Sequence, residues 1–346
     1  MSSRVRLRAL STATPPFVLN QADVQTLATN IFHGTDVERM LPVFINTGIE
    51  RRYSCVPIDW YTEPHGWVDR TKLYVENAVA LLEAVTDGCL SRAGLVRQDI
   101  DAIVVVSTTG IATPSLDALV IERMGLRRDI KRLPIFGLGC AGGVIGLARA
   151  ADMAKAAPGS KVLFLVVELC ALTFRKDDFS KSNIVAAALF GDGAAGAILS
   201  TDGTGPMIGA GGEYTWPHSL DIMGWDIQED GLKARFAQSI PSLVANDFRK
   251  ILDEFLRRSG LRLDEIGAFA CHPGGAKVLD ALEGAMSMKN GGLADSRAVL
   301  RDYGNMSAVT MMFVLERMKD RLASQRTLAS ALGPGFSCAF LMIEGK

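Results

Sequence analysis

The chain has 346 residues, a formal net charge of −1 and 48% hydrophobic residues. Acids and bases in balance leave no electrostatic footprint for nucleic acid or an anionic membrane surface, and the composition is that of a soluble globular protein. The length predicts about two domains.

The N-terminal segment MSSRVRLRALSTATPPFVLN starts basic but lacks the apolar run of a signal peptide. Six cysteines (55, 89, 140, 170, 271 and 338) form no CxxC pair, which predicts small buried side chains in a reduced cytoplasm. The segments AIVVV (102–106) and VLFLVV (162–167) are apolar throughout, as expected of strands covered by helices on both faces. The second is followed at once by Glu168 and is too short to span a membrane. Between them, LPIFGLGCAGGVIGLARAADMAKA (133–156) places Cys140 at a strand–helix junction, flanked by Gly139 and by Ala141, Gly142 and Gly143. A Gly/Pro-rich stretch, 203–221, is expected to connect two halves. Beyond it, AFACHPGG (268–275) ends a buried strand at His272, and YGNMS (303–307) sets Asn305 before a helix. The final segment, ALGPGFSCAFLMIEG (331–345), reads as a turn entering a last strand.

A weak repeat organises these elements. SRAGLVRQDIDAIVVV (91–106) aligns with RRSGLRLDEIGAFACH (257–272), pairing Gly94 with Gly260, Leu95 with Leu261 and Ile100 with Ile266. The same offset of 166 residues carries Gly139 onto Asn305 and Cys140 onto Met306. Strands alternating with helices predict an α/β fold of two duplicated halves, with the two junctions meeting in a shared cleft.

A thiol becomes nucleophilic when deprotonated, and a helix N-terminus or a nearby imidazolium stabilises the thiolate. Cys140 sits where following amides can do this, and the strand end at His272 points into the region where α/β folds bind ligands. Asn305 can donate its amide to an oxyanion or enolate. Singly, each residue also reads as a buried thiol, a bonded loop histidine and a helix cap. Together they suggest Cys/His/Asn acyl-transfer chemistry. No metal-ligand spacing and no GxGxxG phosphate loop is present.

The motifs GLGCAGG, LFGDGAAG, CHPGG, YGNMS and GPGF, with TFR (173–175) and ERRY (50–53), resemble the type III polyketide synthase family, relatives of the chalcone and stilbene synthases. The resemblance runs over essentially the whole chain. It implies a thiolase-like fold with αβαβα layers, divided as residues 1–205 and 206–346, and a homodimer. It also implies catalysis on CoA thioesters by Cys140, His272 and Asn305, with no cofactor and no metal. Cys140 accepts the starter acyl group, held as a thiolate by the His272 imidazolium. His272 and Asn305 stabilise the enolate from decarboxylated malonyl-CoA.

Further positions follow from the same resemblance. Phe190 matches a gate between the CoA tunnel and the cavity, and Ala234 stands where the family carries a second gate phenylalanine. Trp225 stands where plant chalcone synthases carry glycine. Thr173 and Ser307 match cavity-lining positions, Thr113 a residue that reaches across the dimer, and Arg39 a CoA-binding basic residue. Pro42 and Asn46 occupy positions that are often basic. The Ala234 replacement is expected to open the cavity. With a likeness of GLRRDIKRLPIFGLGCAGG (125–143) to bacterial members, it favours a fatty acyl-CoA starter and an alkylresorcinol or alkylpyrone product. The competing readings are a ketoacyl synthase III-like single condensation and a catalytically silent acyl-CoA-binding homologue. The HPGG motif argues against the first and the complete triad against the second.

Overall fold

The computed structural model describes residues 4–32, 39–289 and 291–345. Its first strands are β1 (Val5–Ala13), β2 (Phe17–Asn20), β3 (Arg51–Ser54), β4 (Ala102–Val106), β5 (Lys131–Ile135), β6 (Val162–Leu169) and β7 (Asp192–Ser200). They are followed by β8 (Met207–Thr215), β9 (Met223–Gln228), β10 (Gly231–Phe236), β11 (Ala268–Cys271), β12 (Arg326–Gly333) and β13 (Ser337–Glu344). Strands β2 and β3 form one two-stranded ribbon and β9 and β10 another; the other nine form a mixed sheet. Its order, β11-β12-β13-β8-β1-β7-β6-β4-β5, divides into two matching halves that meet where β1 pairs antiparallel with β8 at Val5↔Ile208 and Arg6↔Met207.

Period-two alternation along the apolar strands builds the layers. In β4 and β6, Val104, Val106, Phe164 and Val166 face a central core, while Ile103, Val105, Leu163 and Leu165 face an outer one. Helix Trp67–Ala93 covers that outer face with Leu82 and Val85. In the second half, Ala329, Ala331 and Leu341 face the centre, and Leu328, Phe340 and Met342 pack outward against Phe248 and Leu252 of helix Ile240–Arg258. Helices Gly142–Ala156 and Ala308–Arg317 fill the central layer. The result is the expected thiolase-like αβαβα arrangement. The central helices touch so closely that a Cβ on Gly143 would lie 2.2 Å from the Ala308 carbonyl oxygen. The run of small residues after Cys140 permits this contact.

The repeat reappears in local detail. Gly94 and Gly260 both turn the chain with positive φ, +64° and +69°. Two residues later, the Val96 amide donates to the Asp99 carboxylate and the Arg262 amide to the Glu265 carboxylate, each at 2.8 Å. The central helices then begin at Gly142 and Ala308, again 166 residues apart. The halves differ at one edge. The positions matching β5 fall within helix Ala294–Tyr303, so the second half ends at β11. No helix among the described residues is long and apolar enough to cross a membrane.

Candidate active site

Three junctions supply the side chains. Cys140 lies in the single turn Gly139–Ala141 that leads into helix Gly142–Ala156. The Gly139 amide donates to Thr108 Oγ1 at 3.0 Å. Gly139 has a φ of +46°, and a Cβ there would lie 2.5 Å from Cδ of Pro334. Glycine thus lets the turn between β12 and β13 seat directly against the cysteine turn. His272 follows β11, and its amide donates to the Ser330 carbonyl at 2.8 Å. Asn305 is tied by its own amide to the Leu189 carbonyl at 2.8 Å, and its carbonyl accepts from the Gly191 amide at 3.1 Å. That pairing sets Asn305 beside Phe190.

A chain of contacts joins the three. The Ser307 side chain is close enough to the Cys140 thiol to favour its thiolate, and the Ser307 amide donates to Asn305 Oδ1 at 2.9 Å. Asn305 Nδ2 reaches the Gly274 carbonyl at 3.4 Å, two residues after His272. With its oxygen held by Ser307, the Asn305 amide keeps a second Nδ2 hydrogen to offer. The His272 ring is buried, and neither nitrogen has a partner among the described residues. Leaving buried polar atoms unpaired costs about 1–3 kcal/mol each. A structural histidine would have its bonds satisfied; in this one both nitrogens are left unsatisfied by the described residues.

Burial pushes the Cys140 thiol up to about 12 and the His272 imidazole down to about 3. The Ser307 side chain favours the thiolate, and the nearby Glu168 carboxylate disfavours it. Low polarity thus penalises both charged forms.

Glu168 was not expected at the site. It is fully buried at the end of β6, where Oε2 accepts from the Thr108 amide at 3.0 Å and from Thr109 Oγ1 at 2.8 Å. Its other oxygen has no partner among the described residues. Burial pushes its carboxyl up to about 7 despite these donors. A lone acid closing a fully apolar strand was the available sequence signal.

The cavity positions divide. Phe190 is buried and packs its ring against Trp225 at 5.9 Å and Phe236 at 5.6 Å between centroids. Ala234 is also buried, directly across the β9–β10 ribbon from Trp225. The space expected above Ala234 is thus flanked by Trp225 and Phe236, with Cys170, Ala186 and Phe190 completing the cluster. Thr173 is buried and donates to the Cys170 carbonyl at 2.7 Å. Thr113 is exposed rather than in its own chain's cavity, and Arg39 is exposed just before helix Pro42–Asn46.

Two duplicated α/β halves, with a cysteine heading one central helix and an asparagine just before the other, define a thiolase-like enzyme. Residues 2–203 match the N-terminal domain of the chalcone and stilbene synthases, and residues 213–344 match the C-terminal domain. The chain belongs to that family, the type III polyketide synthases, which are acyltransferases. It is 36% identical over 347 residues to a 1,3,6,8-tetrahydroxynaphthalene synthase of Streptomyces peucetius subsp. caesius, covering 97% of this chain and 92% of that one. A putative chalcone synthase of Bacillus subtilis (strain 168) is 35% identical over 358 residues, covering 97% of each. The crystal structure of the 1,3,6,8-tetrahydroxynaphthalene synthase of Streptomyces coelicolor A3(2) superposes with a TM-score of 0.94. That match is 28% identical and covers 99% of each chain.

Proposed function

We propose that the chain extends an acyl-CoA starter by repeated decarboxylative condensation with malonyl-CoA and then cyclises the product. The observation that carries this reading is the buried His272 ring, both nitrogens unpaired among the described residues, with Asn305 bonded to Gly274 and Ser307, and Ser307 close to Cys140. Cys140 Sγ attacks the starter thioester carbonyl while its proton passes to His272. CoA leaves with that proton, and the acyl group stays on sulfur. Malonyl-CoA next loses CO2, and the enolate oxygen takes hydrogen bonds from Nε2 of the neutral His272 and from Asn305 Nδ2. The enolate carbon attacks the acyl-Cys140 carbonyl; a C–C bond forms, the C–S bond breaks, and the thiolate is released. A neutral donor pair in a dry site suits a charge that exists only during the reaction. CoA thioesters are the only small molecules this sequence of steps needs.

In this reading residues 1–205 supply the nucleophile and residues 206–346 the histidine and asparagine. Arg39 meets the CoA phosphates, and the enzyme works in the cytoplasm. A homodimer is supported by the outer edge of β5, which has no strand partner among the described residues and is followed by the exposed Phe136. Such an edge invites pairing with a second copy, and the exposed Thr113 is then available to the partner's cavity.

The starter is proposed to be a fatty acyl-CoA and the product an alkylresorcinol or alkylpyrone. Relatives carry different product names, tetrahydroxynaphthalene and 3,5-dihydroxyphenylacetyl-CoA among them, so family membership leaves the starter open. Incubating a chain-length series of acyl-CoAs with malonyl-CoA and weighing the products tests this. Preference for aromatic or very short starters sinks the fatty-acyl assignment. Products that never contain more than one malonyl-derived unit favour the single-condensation reading.

A further inference from the structure

The β9–β10 ribbon stands apart from the nine-stranded sheet and carries Trp225 and Ala234. Trp225, Ala234 and Phe236 pack against Cys170, Ala186 and Phe190, so the ribbon forms one wall of the candidate cavity. The facing wall belongs to helix Lys181–Leu189 and the Phe190 that follows it. No sheet pairing joins the two walls among the described residues. Charge does.

Lys233 precedes Ala234 and lies on the ribbon's other face, since neighbours along a strand point to opposite sides. Its ammonium stands 3.0 Å from Asp178 Oδ2. At the ribbon's tip, Asp230 pairs with Arg175. Asp178 and Arg175 both sit in the loop before helix Lys181–Leu189, and the buried Asn183 fixes that loop. Its Nδ2 donates to the carbonyls of Arg175 and Asp178, each at 2.7 Å. Asp178 is thus tied to the helix that leads to Phe190, and Lys233 to the strand that carries Ala234. Asp226, directly across from Lys233, is taken by Arg235 within the ribbon, which leaves the Lys233 charge for Asp178. The base of the ribbon is closed by the Ala237 amide, which donates to the Ile222 carbonyl at 2.8 Å. Asp178 and Arg175 are only 12% and 17% exposed, but their partners Lys233 and Asp230 are 32% and 44% exposed. Pairs of this kind are shielded enough to hold and open enough to part.

Resting on the proposed polyketide synthase function, we infer that the Lys233–Asp178 and Arg175–Asp230 pairs latch the ribbon as a movable wall. The latch sets how many malonyl units are added before the chain is released. With it closed, Trp225 and Phe236 pack on Phe190 and limit the room for a growing chain. With it open, the ribbon swings on its base at Ile222 and Ala237, and the wall recedes. The residues that decide product length therefore include four that lie outside the cavity. Partly exposed ion pairs shift such an equilibrium by roughly two- to five-fold each.

The test weighs the products of one acyl-CoA and malonyl-CoA in wild type, Lys233→Met, Asp230→Asn and the charge-swapped double variant Lys233→Asp with Asp178→Lys. Each single change is expected to raise the proportion of products with a further malonyl unit by roughly two- to five-fold. The swap is expected to return it towards wild type. About 0.5 M salt, which cuts the screening length to a few ångströms, is expected to shift wild type the same way and Lys233→Met less. Amide hydrogen exchange across the ribbon, measured without substrate, is expected to quicken in both single variants. Unchanged exchange, or a swapped variant that behaves as the single ones do, overturns the latch. Quickened exchange with unaltered products overturns its role in product length. Failure of wild type to form polyketide from any acyl-CoA instead rejects the underlying function, and the exchange measurement keeps the two failures apart.

Discussion

The Ser307 amide donates to Asn305 Oδ1 at 2.9 Å, while the Ser307 side chain approaches the Cys140 thiol and favours its thiolate. One residue thereby orients the amide of one half and contacts the nucleophile of the other. Its backbone adopts a φ of +48° and a ψ of −129°, a conformation that L residues rarely hold. Ser307→Gly is expected to keep the fold within about 1 kcal/mol of wild type, since glycine accepts this conformation. Ser307→Val is expected to lose about 1–3 kcal/mol, because a β-branched residue cannot adopt it without strain. Urea unfolding of both variants distinguishes them, and equal stabilities contradict the strain argument.

Decarboxylation and acyl transfer are separable in this geometry. Asn305→Ala removes the donor whose oxygen Ser307 holds, and CO2 release from malonyl-CoA is expected to slow about 10²–10³-fold. Cys140→Ala leaves His272 and Asn305 in place, so malonyl-CoA is expected to lose CO2 without forming a longer chain. Labelled CO2 release and product mass, measured side by side, check this. Loss of decarboxylation in Cys140→Ala contradicts the division of roles.

Glu168 sets a pH dependence on stability. Its carboxyl is raised from 4.5 to about 7 in the folded protein, so the protonated form is the one the fold favours. Below the unfolded pKa the group carries no penalty; as pH rises towards 7, the unfolded chain loses its proton more readily and stability falls. A rise of that size corresponds to up to about 3 kcal/mol for a fully buried group. Glu168→Gln removes the term. The variant's stability relative to wild type is expected to improve between pH 4 and pH 8, as read from denaturant midpoints. A pH-independent difference contradicts the burial argument.

The contact between the central helices predicts a steep packing penalty. Gly143→Ala places a methyl 2.2 Å from the Ala308 carbonyl oxygen, and overpacking of this kind costs about 1–3 kcal/mol. Calorimetry is expected to show a lower Tm. An unchanged Tm means the helices can separate more easily than their packing implies.

Much of the architecture was legible because it is written in local pattern. Apolar strands marked the layers, and the offset between Gly94 and Gly260 located both halves, down to the matching turns at Asp99 and Glu265. The repeat also carried the Cys140 turn towards Asn305. What it could not convey was the missing counterpart of β5, because helix Ala294–Tyr303 occupies those positions with unrelated residues. Glu168 was visible only as an acid ending a strand; its contacts with Thr108 and Thr109 arise from tertiary packing. The charge state of Cys140 and His272 depends on burial, which motif spacing does not report. Ala234 illustrates the same limit, since removing a ring from one position says nothing about Trp225 and Phe236 around it.

Intact-protein mass spectrometry, with peptide mapping and product analysis, is the most direct test of the central claim. Wild type and Cys140→Ala are loaded with an acyl-CoA and then supplied with malonyl-CoA. The account predicts an acyl adduct on Cys140 in wild type alone, which disappears as products carrying two or more malonyl-derived units accumulate. An acyl adduct elsewhere that turns over with product formation, or undiminished product from Cys140→Ala, contradicts it.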